Sequence, residues 1–525
     1  MHKILVIRLG AIGDVVLTSA AVLNLKLSYP GARIYFLVRE KMAGLVKKFA
    51  GVDEVLTFPQ HAGARDLFRM GEFLDSIGFD LLVDFHGNIR SRYLMKHVHA
   101  SRKVQYPKRR FQRFAAVKWK KFGDNHPHTI DQYNKAVIKS GGKVYARRPI
   151  IKLDYERGGN SLFENDRPII AIGPQASYPT KQWFPERFLE LMAEIIEQLG
   201  ANIVILLANK DPEIESFAEK KGLEKVRVMV DTPLEELAGI ISQCGPLICN
   251  DSALSHLASA VGTPVLALFG PTHPVLGFSP RGLRDYVMEV DEFCRPCSLH
   301  GRRPCFRDHR YCFERITVTE VLDRATMMLE SRLKEEKAIF IDRDGTLIKE
   351  KNFLHKPSEV EPERQSIEAV KLANRTGFKV VVVSNQSGVA RGYFGEDSVR
   401  AVNSRILQLF SDRGAMIDDF LYCPHHPEGV ITEYKLICEC RKPAPGMVEA
   451  ACLKHNINPH RSFIVGDSLS DINLAQVMGG RGILVRTGCG HSTEEKLVGD
   501  NAMRPDLITD NLYEAVKYIT TDSTG

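Results

Sequence analysis

Short apolar runs rich in β-branched residues alternate along this chain with helix-length amphipathic stretches. The runs include Ile4–Ile7, Ile34–Val38, Leu81–Val83, Ile169–Ile172, Ile203–Leu207 and Val265–Leu268. Amphipathic stretches follow them, for example Pro185–Leu199 and Pro233–Gln243. A strand-length run followed by such a stretch marks a βαβ unit, and a series of them predicts parallel sheets. A polar, Gly-rich segment at 156–167 interrupts the series, and Ile169–Ile172 opens a second one. A charged helix from Val318 to about Lys337 then links to a third series, with strands Ala338–Ile341, Val380–Val383 and Phe463–Val465. The pattern predicts an α/β protein of three units, 1–160, 161–333 and 337–520.

Composition changes this picture only at the margins. At 525 residues the chain is too long for one core. Its 44% apolar and 26% charged residues are ordinary for a globular protein. No uncharged apolar run is long enough to span a bilayer. The first apolar stretch, Ile4–Ile12, is interrupted by Arg8 and followed by Asp14, so it reads as a strand and turn rather than a signal peptide. A cytoplasmic location is expected.

The net charge of +7 is unevenly placed: nine Lys or Arg and no acid lie between Arg102 and Lys121. Interleaved with Tyr106, Phe111, Phe114 and Trp119, they suit nucleic acid, an anionic membrane surface or a phosphorylated acceptor; a solvated amphipathic segment fits the same pattern. Eleven cysteines fall in two clusters plus isolated residues. In a reducing compartment, clusters argue for metal over disulfides.

The chemistry is clearest after Ile341. Asp342 and Asp344, two apart just past a parallel strand, can both face the crevice at the sheet's C-terminal edge. One carboxylate can attack phosphorus, while the other protonates the leaving oxygen and later activates water. Ser384 and Asn385 end the next strand and can hold phosphoryl oxygens. Arg441 and Lys442 supply cations for the developing charge. Asp467, after Phe463–Val465, can complete an oxygen-ligand Mg²⁺ site with Asp342 and the backbone carbonyl of Asp344. Nucleophile, phosphate binder, cation and metal ligand are thus expected at four strand ends.

These motifs resemble the haloacid-dehalogenase superfamily. Asn385-Gln386-Ser387-Gly388-Val389-Ala390-Arg391-Gly392, Cys423-Pro424-His425-His426-Pro427 and Cys438-Glu439-Cys440-Arg441-Lys442-Pro443 are similar to the D-glycero-D-manno-heptose 1,7-bisphosphate phosphatases. That resemblance implies a structural Zn²⁺ on Cys423, His425, Cys438 and Cys440, and two close pairs of soft ligands can indeed close a tetrahedral Cys₃His site. The long loop between the pairs fits the heptose enzymes better than the related histidinol-phosphate phosphatases. Pro362-Glu363 departs from the family's more usual Pro-Gly.

The N-terminal two-thirds reads differently. Gly10-Ala11-Ile12-Gly13-Asp14 follows the first strand, but its glycine spacing is wrong for a dinucleotide and Asp14 would repel a pyrophosphate. Asp14 is better used as a general base, or as a helix cap. Ser177, Thr180 and Lys181 follow Ile169–Gly173 and can hold a diphosphate leaving group. Asp251 can accept from ribose hydroxyls, Ser252 can face phosphate at a helix start, and His256 is either a ligand contact or a packed core histidine.

Together with Phe269-Gly270-Pro271-Thr272, these stretches resemble glycosyltransferase family 9. That implies a GT-B pair of Rossmann-like lobes, acceptor side first and nucleotide-sugar side second. It also implies that Asp14 is the base, that Lys181 binds the donor phosphates, and that Asp251, Ser252 and His256 contact ADP-heptose. Ala253 stands where the family usually has Gly. The implied acceptor is an anionic lipopolysaccharide inner core, with the protein cytoplasmic or peripheral at the inner membrane and no nucleic-acid partner. Cys294, Cys297, Cys305 and Cys312, near His300 and His309, read either as a zinc site or as a reduced loop. The rival readings are a histidinol-phosphate-type phosphatase fused to another sugar-nucleotide transferase, a non-catalytic N-terminal binding module, and a nicotinamide oxidoreductase.

Overall fold

Every strand pair in the three sheets of this computed structural model is parallel. The structure describes residues 1–120, 127–153, 162–497 and 503–522. Lys121 of the basic stretch and residues 156–161 of the expected boundary lie outside the described residues. The chain divides into two compact units, Met1–Lys334 and Glu335–Gly525.

The first unit holds two sheets. β1 (Lys3–Ile7), β2 (Arg33–Arg39), β3 (Glu54–Phe58), β4 (Phe79–Asp84) and β5 (Ala100–Gln105) lie in the order β3-β2-β1-β4-β5. β6 (Ile169–Gly173), β7 (Asn202–Leu207), β8 (Val226–Val230), β9 (Leu247–Asn250), β10 (Val265–Phe269) and β11 (Tyr286–Glu289) lie in the order β11-β10-β9-β6-β7-β8. The second unit holds β12 (Ala338–Ile341), β13 (Lys379–Asn385), β14 (Asp419–Cys423), β15 (Phe463–Gly466), β16 (Arg481–Val485) and β17 (Leu507–Thr509), ordered β14-β13-β12-β15-β16-β17.

Parallel strands covered on both faces need apolar side chains on both, which is why the central runs show no alternation. Val380, Val381, Val382 and Val383 of β13 are all fully buried, each contributing roughly 1.5–3 kcal/mol of transfer free energy. The covering helices bury one stripe instead. In Pro185–Gln198 it is Phe188, Leu191, Met192 and Ile195, the 3–4 spacing of one helical face. Pro starts that helix, and Gly200 at positive φ follows its end.

The expected linker helix ends at Leu333 rather than Lys337 and belongs to the second lobe. Thr317 and Glu320 close a capping box at its start. Val321, Leu322, Ala325 and Leu329 then pack into the same core as Phe188 and Ile195. The local charge suggested a linker, but the apolar spacing on the opposite face decided the packing.

In each sheet the strand order reverses beside a central strand: at β1/β4, at β6/β9 and at β12/β15. The two helices flanking such a point diverge and leave a crevice beyond the strands' C-terminal ends. The carboxylate, hydroxyl and phosphate-binding motifs follow β1, β6, β9, β12, β13 or β15, whereas the cysteine–histidine quartet and Arg441-Lys442 end or follow β14. No described helix is long and apolar enough to cross a membrane.

Candidate active sites

Beyond β12, Asp342 sits next to a buried ammonium. Lys442 Nζ lies 2.5 Å from Asp342 Oδ1 and 2.6 Å from Asp471 Oδ1, and it donates to the Val383 carbonyl at 2.9 Å. Burial works against the lysine's charge, but Asp342 and Asp471 outweigh it and hold Lys442 above the ordinary lysine range. Burial pushes the Asp342 carboxyl well up; Lys442 pulls the other way, while Asp471 and Asp467 add to the rise. Burial likewise raises Asp467 to about 6, against the Cys489 N–H donated to it at 2.7 Å.

Oxygens of Asp342, Asp467 and Asp471 come within 4.8 Å of one another. Three crowded carboxyls facing one ammonium form a hard, oxygen-rich, charge-deficient site, and a divalent cation such as Mg²⁺ fits it. Gly345 and Gly488 pack against the Asp467 carboxylate, where a Cβ at either position would collide with it.

The neighbouring residues position this group. Asp471 Oδ2 accepts from Ser468 Oγ at 2.5 Å, closing a capping box on the helix Leu469–Met478. Asn385, expected to hold phosphate, instead brackets the Lys442 backbone: its Oδ1 accepts from the Lys442 amide at 3.0 Å and its Nδ2 donates to the Lys442 carbonyl at 3.3 Å. Ser384 is buried and accepts from Gln386 Nε2 at 2.7 Å. The Asp344 carboxylate stands outside the acidic trio, paired with Arg343 at 2.9 Å and accepting from Gln386 at 2.8 Å. Only three of the expected elements sit at strand ends. Arg441 and Lys442 come from the long loop after β14, because that loop is tied back toward the sheet.

The tie is the cysteine–histidine quartet. Cys423 Sγ is 3.5 Å from Cys438 Sγ and 3.2 Å from Cys440 Sγ, while His425 Nδ1 is 3.3 Å from Cys440 Sγ and 3.6 Å from Cys423 Sγ. Three sulfurs at about 2.3 Å and one nitrogen at about 2.0 Å from zinc would stand about 3.5–3.8 Å apart, so this closed set fits a tetrahedral ion. The Arg441 amide donates to Cys438 Sγ at 3.3 Å, and its guanidinium donates to the His425 carbonyl at 3.2 Å. Arg441 therefore braces the quartet, and Lys442 follows it into the site.

In the first unit, Asp14, Ser177, Lys181, Asp251, Ser252 and His256 line one cavity of about 420 Å³. Arg8 Nη2 grips Asp14 Oδ2 at 2.5 Å, and Tyr133 Oη donates to Asp14 Oδ1 at 3.1 Å. Arg8 is buried and also donates to the Phe85 carbonyl at 2.6 Å. Across the cavity, Lys181 Nζ stands 2.6 Å from Asp251 Oδ2, which also accepts from Thr272 at 2.7 Å.

The start of the helix Ala253–Ala260 faces this space. The buried Ser252 hydroxyl has no partner beyond the adjacent Cys249 thiol, and His256 Nδ1 is buried with none. Burial lowers His256 to about 4, so it is neutral. The helix comes this close because Gly13 offers no Cβ where the His256 ring lies. Thr180 points elsewhere: its hydroxyl donates to the Gly301 carbonyl. A second cavity of about 480 Å³ adjoins the first through Ser177, Ser252 and Ala253 and is walled by Leu207, Met229 and Leu237. Two adjoining cavities, each lined by apolar side chains with a few polar groups among them, suit a nucleotide-linked sugar.

The basic stretch is split between elements. Arg102 and Lys103 on β5 donate to the carbonyls of Ser140, Lys139 and Met95. Arg113 bonds Thr129, and Lys120 bonds the Pro296 carbonyl. Lys108, Arg109 and Arg110 gather at the start of the helix Arg110–Trp119, whose Phe111, Phe114 and Trp119 are exposed.

Comparison with known proteins separates the two units. Residues 439–515 match the HAD-hydrolase-like family. The D-glycero-α-D-manno-heptose-1,7-bisphosphate 7-phosphatase of Photorhabdus laumondii is 36% identical over 184 residues, 35% of this chain and 96% of that protein. The chain belongs to the heptose-1,7-bisphosphate 7-phosphatase family. That phosphatase assignment rests on its second unit, which also aligns with the β-anomer enzyme of Escherichia coli K12 at 39% identity, over 30% of this chain and 82% of that one. Ahead of the phosphatase, residues 67–302 match glycosyltransferase family 9 (heptosyltransferase). The ADP-heptose lipopolysaccharide heptosyltransferase II of Escherichia coli superposes with a TM-score of 0.50 at 20% identity, covering 62% of this chain and 98% of that one. The first unit thus has the two-lobed GT-B fold, and the phosphatase is haloacid-dehalogenase-like.

Sequence reading named most of the side chains in both sites but missed their partners. Arg8 and Tyr133 come from separate elements around Asp14, and no local spacing announces them. Asp471 was visible four residues after Asp467. Its hold on Lys442, 29 residues away, depends on the tied loop.

Proposed function

We propose that the chain is a bifunctional enzyme of heptose assembly, divided as 1–160, 161–333 and 337–520. The second unit hydrolyses D-glycero-D-manno-heptose 1,7-bisphosphate to the 1-phosphate. The first transfers heptose from ADP-heptose, with inversion, to an anionic inner-core lipopolysaccharide. The observation that carries the reading is Lys442 between Asp342 and Asp471, beside Asp467, in a chain of the phosphatase family.

In the phosphatase, an Asp342 oxygen attacks the 7-phosphorus while the bond to the sugar oxygen breaks. Asp344 protonates that oxygen, then takes a proton from the water that cleaves the Asp342–phosphorus bond and releases phosphate. Lys442 orients Asp342 and faces the phosphoryl charge, while Ser384, Asn385 and Arg441 build the surrounding wall. Mg²⁺, held by Asp342, Asp467 and the Asp344 carbonyl, would supply further charge neutralisation at the phosphoryl oxygens. Zn²⁺ on Cys423, His425, Cys438 and Cys440 would fix the loop.

In the transferase, Asp14, oriented by Arg8 and Tyr133, takes the acceptor's proton as its oxygen attacks the anomeric carbon opposite the leaving ADP. Lys181, Ser177 and the helix start at Ser252 receive the diphosphate, with Asp251 and His256 around the nucleotide-sugar. Thr180 acts through the loop it holds. The basic start and aromatic face of Arg110–Trp119 support an acceptor at the inner-membrane surface of the cytoplasm.

Two assays on the purified chain test this. Phosphate release from both anomers of the bisphosphate should far exceed release from histidinol phosphate. ADP release from ADP-heptose should require truncated lipopolysaccharide, and charge reversal at Lys108, Arg109 and Arg110 should raise the acceptor KM. Preference for histidinol phosphate would overturn the first assignment, and no acceptor-dependent ADP release the second.

A further inference from the structure

Four thiols that neither reaction uses converge beside the transferase cleft. Cys294, Cys297, Cys305 and Cys312 all line one small cavity of about 20 Å³, the room of roughly one water-sized sphere. Cys297 lies close enough to Cys294 that this neighbour adds to burial in pushing the Cys297 thiol up, and Arg307, paired with Glu292 at 2.8 Å, lines the same cavity. The Cys-x₂-Cys spacing of the first pair is that of a chelating turn. The segment that carries them runs from β11 to the short helix Tyr311–Glu314 without a strand or helix of its own. A stretch that long, held to one shape inside a compact domain, needs a staple.

Its ends are already anchored, the far one by Arg310, which donates to the Gln182 carbonyl at 2.9 Å. Arg295 donates to the carbonyls of Gly270, Val290 and Thr272 and pairs with Glu289. What lies between Cys297 and Cys305 reaches the active cleft. Leu299 and His300 line it, and Gly301 accepts the Thr180 hydroxyl. Gly301, at φ +74°, brings backbone against the Lys181 side chain, leaving no room for a Cβ. The tip is thus the wall behind the lysine that faces the diphosphate.

We infer that Cys294, Cys297, Cys305 and Cys312 form a tetrathiolate site for a soft divalent ion, zinc or ferrous iron, which fixes the Leu299–Gly301 tip over Lys181. Four thiols lose their protons as the ion binds, leaving a net charge of −2 that suits the Arg307 and Arg310 side chains lining the cavity. Among the described residues only the Cys423 quartet and the Asp342 trio bring three or more such ligand atoms within 4.8 Å of one another. Binding therefore draws Cys305 and Cys312 toward the Cys294–Cys297 pair through a shift of the loop between fixed ends.

The metal site stands on these thiols alone; its effect on the donor rests on reading the cleft as a sugar-nucleotide site. The test is metal analysis of the full chain purified without oxygen, compared with Cys294→Ser/Cys312→Ser and Cys423→Ser/Cys438→Ser. The first variant should hold one ion fewer per chain than the parent, whatever the second holds, and the element found distinguishes zinc from iron. In the parent, the four thiols should resist alkylation until a chelator is added, a readout that survives even if the variant misfolds. The variant's KM for the sugar nucleotide should rise roughly tenfold while phosphate release is unchanged. An unchanged metal count, or ready alkylation of these thiols in the untreated parent, would overturn the site. A lost ion with an unchanged donor KM would keep the site but overturn its hold on Lys181.

Discussion

Asp471 spends its two carboxylate oxygens on different tasks: Oδ1 holds Lys442 Nζ at 2.6 Å, and Oδ2 takes the Ser468 hydroxyl at 2.5 Å. The helix Leu469–Met478 is thereby locked to the ammonium that orients Asp342. Asp471→Asn keeps the shape but weakens the grip on Lys442. Phosphate release is expected to fall roughly 10²-fold in kcat, with KM changed less than about threefold, because the damage is to alignment. Steady-state kinetics decide it. A loss confined to KM would mean that Asp471 touches substrate instead.

Lys442→Met leaves two buried carboxyls without their cation. Stability of the second unit should drop by about 3–5 kcal/mol, read from urea unfolding, and turnover should vanish. Adding Asp471→Asn removes one of the stranded charges. The double variant should regain part of the stability and none of the activity. Equal stability of single and double variants would show that the pair is not energetically coupled.

Lys442 comes two residues after Cys440, and Asn385 brackets its backbone. Loosening the quartet should therefore reach the active site through the chain itself. Stripping zinc, or Cys438→Ser, is expected to slow phosphate release roughly 10–100-fold. Readded Zn²⁺ should restore the stripped parent but not the variant. Full activity after complete zinc removal, with Mg²⁺ supplied in the assay, would reduce the quartet to a remote structural feature.

These couplings mark where sequence stops being informative. Parallel sheets, their order of motifs and both sites' principal side chains follow from local patterns: a run of valines into Ser384-Asn385, or two aspartates past β12. The charged face of the helix Val318–Leu333 is legible as a link at the end of the second lobe, but the packing of Leu322 and Leu329 into the core that holds Phe188 is not. Asn385 was assigned to phosphate because a strand-end amide suits it. Its pairing with a backbone 57 residues away is a tertiary fact. The same holds for Arg8, whose role depends on Asp14 turning back one helical turn beyond β1.

Arg8 and Asp14 can be separated experimentally. Asp14→Asn removes the proposed proton acceptor and should cut transfer by about 10²–10⁴-fold with donor KM little changed. Arg8→Met leaves Asp14 oriented by Tyr133 alone and should cost both rate and stability of the first unit, since a buried guanidinium bonded to Phe85 is lost as well. Phosphate release should be unaffected in both. An Asp14→Asn chain that still transfers at the parent rate would remove Asp14 from catalysis.

His128 sets a pH limit on the first unit. Its Nδ1 accepts the Ile130 amide at 3.2 Å as a helix cap, while Nε2–H donates to the Ser279 carbonyl at 2.9 Å, so the fold demands the neutral ring. Burial, with Arg281 nearby, lowers it to about 3. A histidine lowered in this way contributes stability that is complete above its unfolded value near 6.5 and is lost as pH falls toward 3. His128→Asn can still cap but does not titrate. The parent's stability advantage over it should shrink by about 3 kcal/mol between pH 7 and pH 4, measured by urea unfolding of both. His256 and the carboxylates titrate in both chains and cancel in the difference. An advantage that held constant to pH 4 would mean that the His128 ring accepts a proton in the folded state as easily as in the unfolded one, which its two hydrogen bonds do not permit.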